Sequence, residues 1–162
     1  MKRVTQMRIG VVSDTHRNKS SIEQLGGKIG GLDMLIHLGD NVEDISIIKK
    51  YYKGKIISVK GNCDFFNSVP NDMLEEICGK KVFITHGHKY SVKDNLSKLR
   101  YKALEIGATI VLYGHTHIGQ IDFQEGIWYI NPGSVSLPRD GGRSFAIINI
   151  DEGNIEPSLV RF

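Results

Sequence analysis

The sequence has few cysteines and no long apolar run, and each shortage excludes a class of protein. Cys63 and Cys78 are the only cysteines among the 162 residues, too few for a disulfide framework, which favours a cytoplasmic protein. No apolar run approaches the roughly 20 residues of a membrane-spanning helix, so we expect no membrane partner. The apolar stretch at residues 9–12 is also too short for a signal peptide.

The sequence also has little excess charge, which argues against a nucleic-acid-binding protein. Lys and Arg number 21 and Asp and Glu number 18, a formal net charge of +3. This charge would help to attract anions but is too small to indicate a nucleic-acid surface. The length, with 40% hydrophobic and 24% charged residues, is typical of one folded domain over residues 1–162. Residues 1–6 are expected to be a disordered extension or to precede an alternative start at Met7.

Glycine is abundant, and the pattern of apolar residues around the glycines predicts an α/β fold. The 18 glycines indicate tight turns or backbone held close to a ligand. Strands and helices alternate at first, which is typical of a parallel sheet: strands 8–12, 34–38 and 55–59, helices 20–29 and 42–52. The second half is richer in strands: a hairpin of 73–78 and 81–85 around Gly79-Lys80, a helix at 91–106, and strands 109–113, 119–124, 127–131, 144–150 and 155–162. We therefore expect a single-domain α/β sandwich, parallel at first and antiparallel at its end.

Polar side chains with ligating atoms follow five of the predicted strands. They come directly after each strand, in chain order: Asp14 and His16; Asp40; Asn62, Cys63 and Asp64; His86 and His88; His115 and His117. In an α/β sheet the carboxyl ends of the strands form the crevice in which ligands bind. We therefore expect these side chains to converge, although they span more than 100 positions. His37 lies inside a predicted strand and is expected to be a packed core histidine.

Imidazole, carboxylate and amide ligands indicate a transition-metal site. Such donors suit Mn²⁺, Fe²⁺, Zn²⁺ or Ni²⁺, and there are too many of them for one ion. A site for two ions needs a bridging ligand, and a carboxylate suits that role because it has two oxygens. Two ions roughly 4 Å apart can clamp a phosphoryl group and activate a water between them.

The order of these motifs resembles the calcineurin-like metallophosphoesterase superfamily. Asp-x-His, Gly-Asp, Gly-Asn-x-Asp, a Gly-flanked His and Gly-His-x-His follow one another as they do in that family. The short length and the segment Asn131-Pro132-Gly133-Ser134 make the chain similar to small bacterial and archaeal phosphodiesterases, which are grouped with a retromer subunit of the same fold. The resemblance covers about residues 7–160. It implies the metallophosphoesterase fold, an α/β sandwich of two mixed sheets flanked by helices.

The resemblance also implies two divalent ions per chain and a role for each ligand. Asp14, His16 and His117 would hold the first ion, and Asn62, His86 and His115 the second. Asp40 would bridge the ions, and a bridging water or hydroxide would be the nucleophile, with Asp40, Asn62 and His86 acting through it. Asp64 would support the ligands. Manganese is the first expectation for the metal, and Ni²⁺, Fe²⁺ and Zn²⁺ share the same ligands.

The residues expected to contact substrate are Cys63, His88, Ser134 and Arg139. The segment from Asn131 to Ser134 could be a plain turn, but the resemblance implies that it lines the crevice, with Ser134 or a backbone N–H near the phosphate. His88 follows the ligand His86 by two residues and could face the same crevice or hydrogen-bond a ligand. Cys63 stands where many superfamily members have a histidine that acts on the leaving group, which indicates that this chain gives up general-acid catalysis. Arg139 could pair with a phosphate oxygen or be an ordinary surface arginine.

The activity these features predict is hydrolysis of a small phosphodiester by a cytoplasmic hydrolase. Alternatives are a phosphomonoesterase or nucleotidase, and a retromer-subunit-like scaffold that binds protein. The family resemblance also implies a homodimer or a higher homo-oligomer.

Overall fold

Two five-stranded sheets and three flanking α-helices make up the fold. A computed structural model describes residues 5–65 and 67–162. Within these residues the strands are β1 (Gln6–Val12), β2 (Met34–His37), β3 (Lys55–Ser58), β4 (Asp72–Ile77), β5 (Lys80–Thr85), β6 (Ile110–Leu112), β7 (Gly119–Gln124), β8 (Ile127–Pro132), β9 (Ser144–Asp151) and β10 (Asn154–Arg161). The helices are α1 (Lys19–Gly26), α2 (Ile45–Ile48) and α3 (Ser97–Ile106), with 3-10 turns over Val42–Asp44 and His88–Tyr90.

Both sheets are mixed, as the family resemblance implies. The first has the order β10-β9-β1-β2-β3, in which β1, β2 and β3 are parallel to one another and β9 is antiparallel to both of its neighbours, β1 and β10. The second has the order β4-β5-β6-β8-β7, in which β5, β6 and β8 are parallel and the two edge strands antiparallel. The parallel strands of both sheets therefore supply the carboxyl ends that the predicted site requires.

The alternation of side chains along the strands builds a four-layer sandwich. Successive residues of a strand point to opposite faces of its sheet. In β2, Ile36 packs between the two sheets, against residues of β5 and β6, while Leu35 packs under α1 and α2. Leu99 and Ala103 of α3 cover the outer face of the second sheet. Burial of apolar surface in three separate clusters thus fixes both sheets and the loops that follow their strands.

The boundaries differ from the sequence prediction where local backbone geometry decides. The hairpin turns at Cys78-Gly79, one residue before the predicted Gly79-Lys80, because φ of both residues is positive as a type I′ turn requires. Within the predicted helix over 42–52, α2 is only four residues long, and β-branched isoleucines with weak helix propensity occupy three of its four positions. The predicted helix 91–106 begins only at Ser97, whose N–H donates to the side chain of Asn95.

The predicted extension over residues 1–6 falls mainly on residues 1–4, which lie outside the described residues. Gln6 is not part of an extension, because it begins β1 and pairs with Asp151 of β9. Among the described residues, no helix has the length and the apolar character that crossing a membrane requires.

Candidate metal centre

Five of the predicted ligands share an uncommon backbone conformation. Their φ angles are positive, between 45° and 69°: Asp14, His16, Asp40, His115 and His117. Such angles are uncommon outside glycine, and they cluster at functional sites. Packing between loops holds the conformation. The N–H of Asp14 donates to the carbonyl of Gly39, and the Asp14 carbonyl accepts from the hydroxyls of Ser134 and Ser136 at 2.9 and 3.0 Å.

The first group of side chains gathers around Asp14. Its Oδ1 atom lies 3.1 Å from Nε2 of His117 and 3.6 Å from Nε2 of His16. Nε2 of His16 in turn lies 3.6 Å from Oδ2 of Asp40. These four side chains present one ligand atom each within a space that a single ion could occupy.

The second group gathers around His86. Its Nε2 atom lies 3.2 Å from Nδ1 of His115, 3.1 Å from Oδ1 of Asn62 and 3.5 Å from Oδ1 of Asp40. The carboxylate of Asp40 therefore belongs to both groups, with Oδ2 facing the first and Oδ1 facing the second.

The donor atoms fit a cation. Nδ1 of His86 lies 2.8 Å from the carbonyl of Leu38, and Nδ1 of His117 lies 2.7 Å from the carbonyl of Leu137. Because a carbonyl only accepts, each Nδ1 carries the proton, and the lone pair of each neutral ring is on Nε2, aimed into the site. Oδ1 of Asp14 is buried and has no hydrogen-bond partner among the described residues. Converging lone pairs without protons repel one another unless a cation lies between them.

Electrostatics keep Asp14 and His115 in the states that bind metal. Burial acts to raise the pKa of Asp14, but the neighbouring imidazoles of His117, His16 and His86 outweigh it and hold this pKa well below its ordinary value. Burial, with the positive charge of Lys93, lowers the pKa of His115 to about 4. At neutral pH the carboxylate is therefore ionised and the imidazole of His115 uncharged, as coordination requires.

Asp64 fixes the two loops that carry Asp40 and Asn62. Its Oδ2 atom accepts from the N–H groups of Asp40 and Gly61, and its Oδ1 atom accepts from that of Val42, each at 2.8 Å. Gly61 has to be glycine, because a Cβ atom there would collide with the Asp40 carboxylate and approach its backbone nitrogen to 2.6 Å. This position is the supporting one that the sequence predicts for Asp64.

Comparison with known proteins identifies the family that this fold and centre represent. Residues 7–153 match the model of the calcineurin-like phosphoesterase superfamily domain. The chain belongs to that superfamily. It is 31% identical over 160 residues to a probable metallophosphoesterase of Bacillus subtilis. The aligned region covers 96% of this chain and 90% of that protein. It is 30% identical over 148 residues to a phosphodiesterase of Methanocaldococcus jannaschii, and this aligned region covers 78% of this chain and 83% of that protein.

Two solved structures share the whole fold. A phosphoesterase predicted in Streptococcus pneumoniae superposes with a TM-score of 0.82 at 31% identity, over 98% of this chain and 91% of that one. Vps29 of Entamoeba histolytica complexed with zinc superposes with a TM-score of 0.77 at 18% identity, over 96% and 99%. At 18% identity the likeness to Vps29 shows the fold alone. The resemblance inferred from the motif order is confirmed.

The segment from Asn131 to Ser134 supports the ligand loops rather than lining the crevice. Ser134 is fully buried, and its hydroxyl donates a hydrogen bond to the Asp14 carbonyl. The prediction that this side chain contacts a phosphate is therefore wrong. Nδ2 of Asn131 donates to the carbonyl of Gly114 and to the hydroxyl of Thr116. The segment therefore holds the Asp14 loop and the loop of His115 and His117.

The other three residues expected to bind substrate lie around the centre. The N–H of Cys63 donates to Oδ1 of Asp40 at 2.9 Å, and burial, with the Asp40 charge, raises the pKa of its thiol to about 11. The ring of His88 lies 5.4 Å from that of His86, and its Nδ1 atom is buried without a partner among the described residues. Arg139 is exposed, and its backbone N–H donates to the carbonyl of His117 at 3.0 Å.

His37 is buried in the core as predicted, but it also joins two ligand loops, which the sequence did not indicate. Its Nδ1 atom accepts from the N–H of Gly39 at 3.1 Å, so the ring proton is on Nε2, 3.1 Å from the hydroxyl of Thr15. That hydroxyl donates to the carbonyl of Asp40. The relay ties the loop of Asp14 and His16 to the backbone of Asp40.

Acidification is expected to destabilise the metal-free fold through His37. Burial lowers the pKa of His37 from 6.5 to about 4. Between these values the unfolded chain binds the proton and the folded chain does not, so the free energy of unfolding falls as the pH falls. The loss should reach about 3 kcal/mol at pH 4.

Urea unfolding of the metal-free wild type and of His37→Gln, between pH 7 and pH 4, measures this effect. The glutamine keeps a donor and an acceptor but does not titrate. We expect the variant to have the lower free energy of unfolding at pH 7. Because only the wild type loses stability through His37 on acidification, the difference between the two proteins should shrink by about 3 kcal/mol at pH 4. A difference in free energy of unfolding that stays constant between pH 7 and pH 4 would show that His37 does not have a lowered pKa in the folded protein.

Proposed function

We propose that this protein is a binuclear metal-dependent phosphodiesterase that hydrolyses a small phosphodiester. The observation that carries the proposal is the position of Asp40, whose two carboxylate oxygens face two separate groups of ligands. A single-ion site would need only one of these groups. The phosphodiesterase named among the relatives supports the reaction class.

Seven side chains would hold the two ions. Asp14, His16 and His117 would bind the first, Asn62, His86 and His115 the second, and Asp40 both. The ions are proposed to be Mn²⁺, and Ni²⁺, Fe²⁺ and Zn²⁺ suit the same donors. When bound, two such ions neutralise charge on a phosphoryl group and lower the pKa of a water molecule.

The chain's own residues prepare that chemistry. The carbonyls of Leu38 and Leu137 hold the rings of His86 and His117 with Nε2 turned inward. Asp64 and the His37 relay fix the loops on both sides of Asp40. Because these contacts order the ligands before substrate arrives, little reorganisation is needed during the reaction. The two free cysteines agree with a reducing, cytoplasmic setting.

A phosphomonoesterase with the same metals is the nearer alternative. A monoester dianion depends strongly on assistance to its leaving group, whereas a diester depends more on a strong nucleophile. Cys63 follows Asn62, and its thiol, with a pKa of about 11, is a poor proton donor compared with an imidazolium. The local chemistry therefore favours diesters.

The enzyme is expected to prefer a diester to a monoester with the same leaving group. We expect kcat/KM for bis(p-nitrophenyl) phosphate to exceed that for p-nitrophenyl phosphate by about tenfold or more, because a diester depends on the strong nucleophile that two metal ions would supply. The measurement is made on protein reconstituted with Mn²⁺ and repeated with Ni²⁺. The reverse order with both metals would favour the monoesterase.

Cys63→Ala is expected to leave turnover of an aryl diester within about threefold of wild type, because no required proton passes through the thiol. Cys78→Ala, which changes the other cysteine in a distant hairpin turn, is the matched control.

Cys63→His should selectively raise activity on alkyl diesters, whose leaving groups need a proton. A collapse of aryl diester turnover in fully metallated Cys63→Ala protein would make the thiol a direct participant.

A protein-binding scaffold is the more distant alternative. A scaffold has no chemical need for seven ligating side chains, a buried carboxylate oxygen without a partner, or two imidazoles oriented by backbone carbonyls. These features support an enzyme.

A further inference from the structure

A cavity of about 300 Å³ lies beside the metal centre. Its lining comes from the turn that follows the His86 loop, from the loop of His115 and His117 with the start of β7, and from the segment after β8: Val92, Lys93, Thr116, Ile118, Gln120 and Arg139. Thr116 stands between two of the proposed metal ligands, and the backbone of Arg139 is bonded to His117 at 3.0 Å. A substrate held at the metal centre would therefore have this cavity within reach of one of its ends.

The charged residues of the cavity wall are both positive. They are Lys93 and Arg139, and no carboxylate lines the cavity. Among the described residues, neither cation forms an ion pair, in contrast to Arg17, Arg100 and Arg161. Asp140 is next to Arg139 in sequence, but its Oδ2 atom is bonded to Arg161 and to the N–H of Gly119. The positive charge of the cavity is thus available to a ligand.

The rest of the lining suits a small organic group. Val92 is buried and Ile118 is 43% exposed, so they offer apolar surface, while Thr116 and Gln120 add polar atoms. A volume of 300 Å³ lies at the lower end of the range for small-molecule sites. This size fits one arm of a diester rather than a polymer.

We propose that this cavity binds the non-reacting arm of the substrate, and that Lys93 and Arg139 select an arm that ends in an anionic group. The inference rests on the proposed phosphodiesterase activity and deepens it by naming the substrate class. The guanidinium of Arg139 would pair with two oxygens of such a group, and the ammonium of Lys93 would act as a point charge. The other ester group would be the leaving group and would depart opposite the attacking water.

Two matched substrates isolate this effect. Both are p-nitrophenyl phosphodiesters with the same leaving group; the second arm is 3-carboxypropyl in one and its uncharged methyl ester in the other. At low salt we expect the wild type to favour the carboxylate by about tenfold in kcat/KM, since two exposed cations each contribute a few-fold. The preference should shrink at high salt because exposed charges are screened.

Lys93→Met and Arg139→Met should each reduce the preference about threefold, and the double variant should abolish it. Lys93→Arg should retain it. Lys28→Met, which removes an exposed charge at the end of α1, is the matched control and should leave the preference unchanged. A wild type without preference, or a double variant that keeps it, would overturn the inference while leaving the phosphodiesterase intact. A metallated wild type that hydrolyses neither diester would instead overturn the proposed function.

Discussion

Asp40→Asn is expected to empty both metal positions and to lower kcat/KM for a phosphodiester by about 10³-fold or more. The physical reason is that this carboxylate faces both groups of ligands, with one oxygen 3.6 Å from His16 and the other 3.5 Å from His86. Asparagine keeps the shape and can still accept from the N–H of Cys63, so the loop should survive. Elemental analysis and diester turnover on the same preparation give both quantities.

Asp94→Asn is the matched control, because Asp94 is exposed and lies outside the ligand groups. It should keep the metal content and activity of the wild type. An Asp40→Asn protein that still holds two ions with near wild-type affinity would show that the carboxylate does not bridge.

His117→Ala and His115→Ala are expected to remove one ion each, from different positions. Nε2 of His117 belongs to the group around Asp14, and Nδ1 of His115 belongs to the group around His86. Each variant should bind a single Mn²⁺ and lose about 10²-fold or more in kcat/KM, since a two-metal clamp requires both ions. The double variant should bind no ion tightly.

Electron paramagnetic resonance distinguishes the single variants from the wild type. Two Mn²⁺ ions that share a carboxylate couple magnetically, whereas one ion alone gives an isolated six-line signal. The wild type should therefore show the coupled signal and each variant the isolated one. A coupled signal that persists in either variant would mean that the histidine is not a ligand.

The convergence of the ligands could be predicted from sequence because strand order and strand ends decide it. Asp14, Asp40 and His86 each lie within three residues of the end of an apolar strand, and parallel strands bring their carboxyl ends to one edge. The conformation of the ligand loops follows less directly, because Asp14 and His115 adopt positive φ angles only under the restraint of distant partners.

The support of the site could not be predicted in the same way. Ser134 is 120 residues from Asp14 in sequence, and which way its hydroxyl points depends on the packing of β8 and β9. His37 looks like any core histidine until its two ring nitrogens are placed against Gly39 and Thr15. Such contacts depend on tertiary structure, so no local pattern of residues indicates them.

The number of metal ions bound per chain tests the central claim most directly. Metal-free wild-type protein is titrated with Mn²⁺, and bound metal and diester turnover are measured at each step. We expect saturation at two ions per chain, with most of the activity appearing as the second ion binds. Saturation at one ion, with full activity, would contradict the two-metal centre around Asp40.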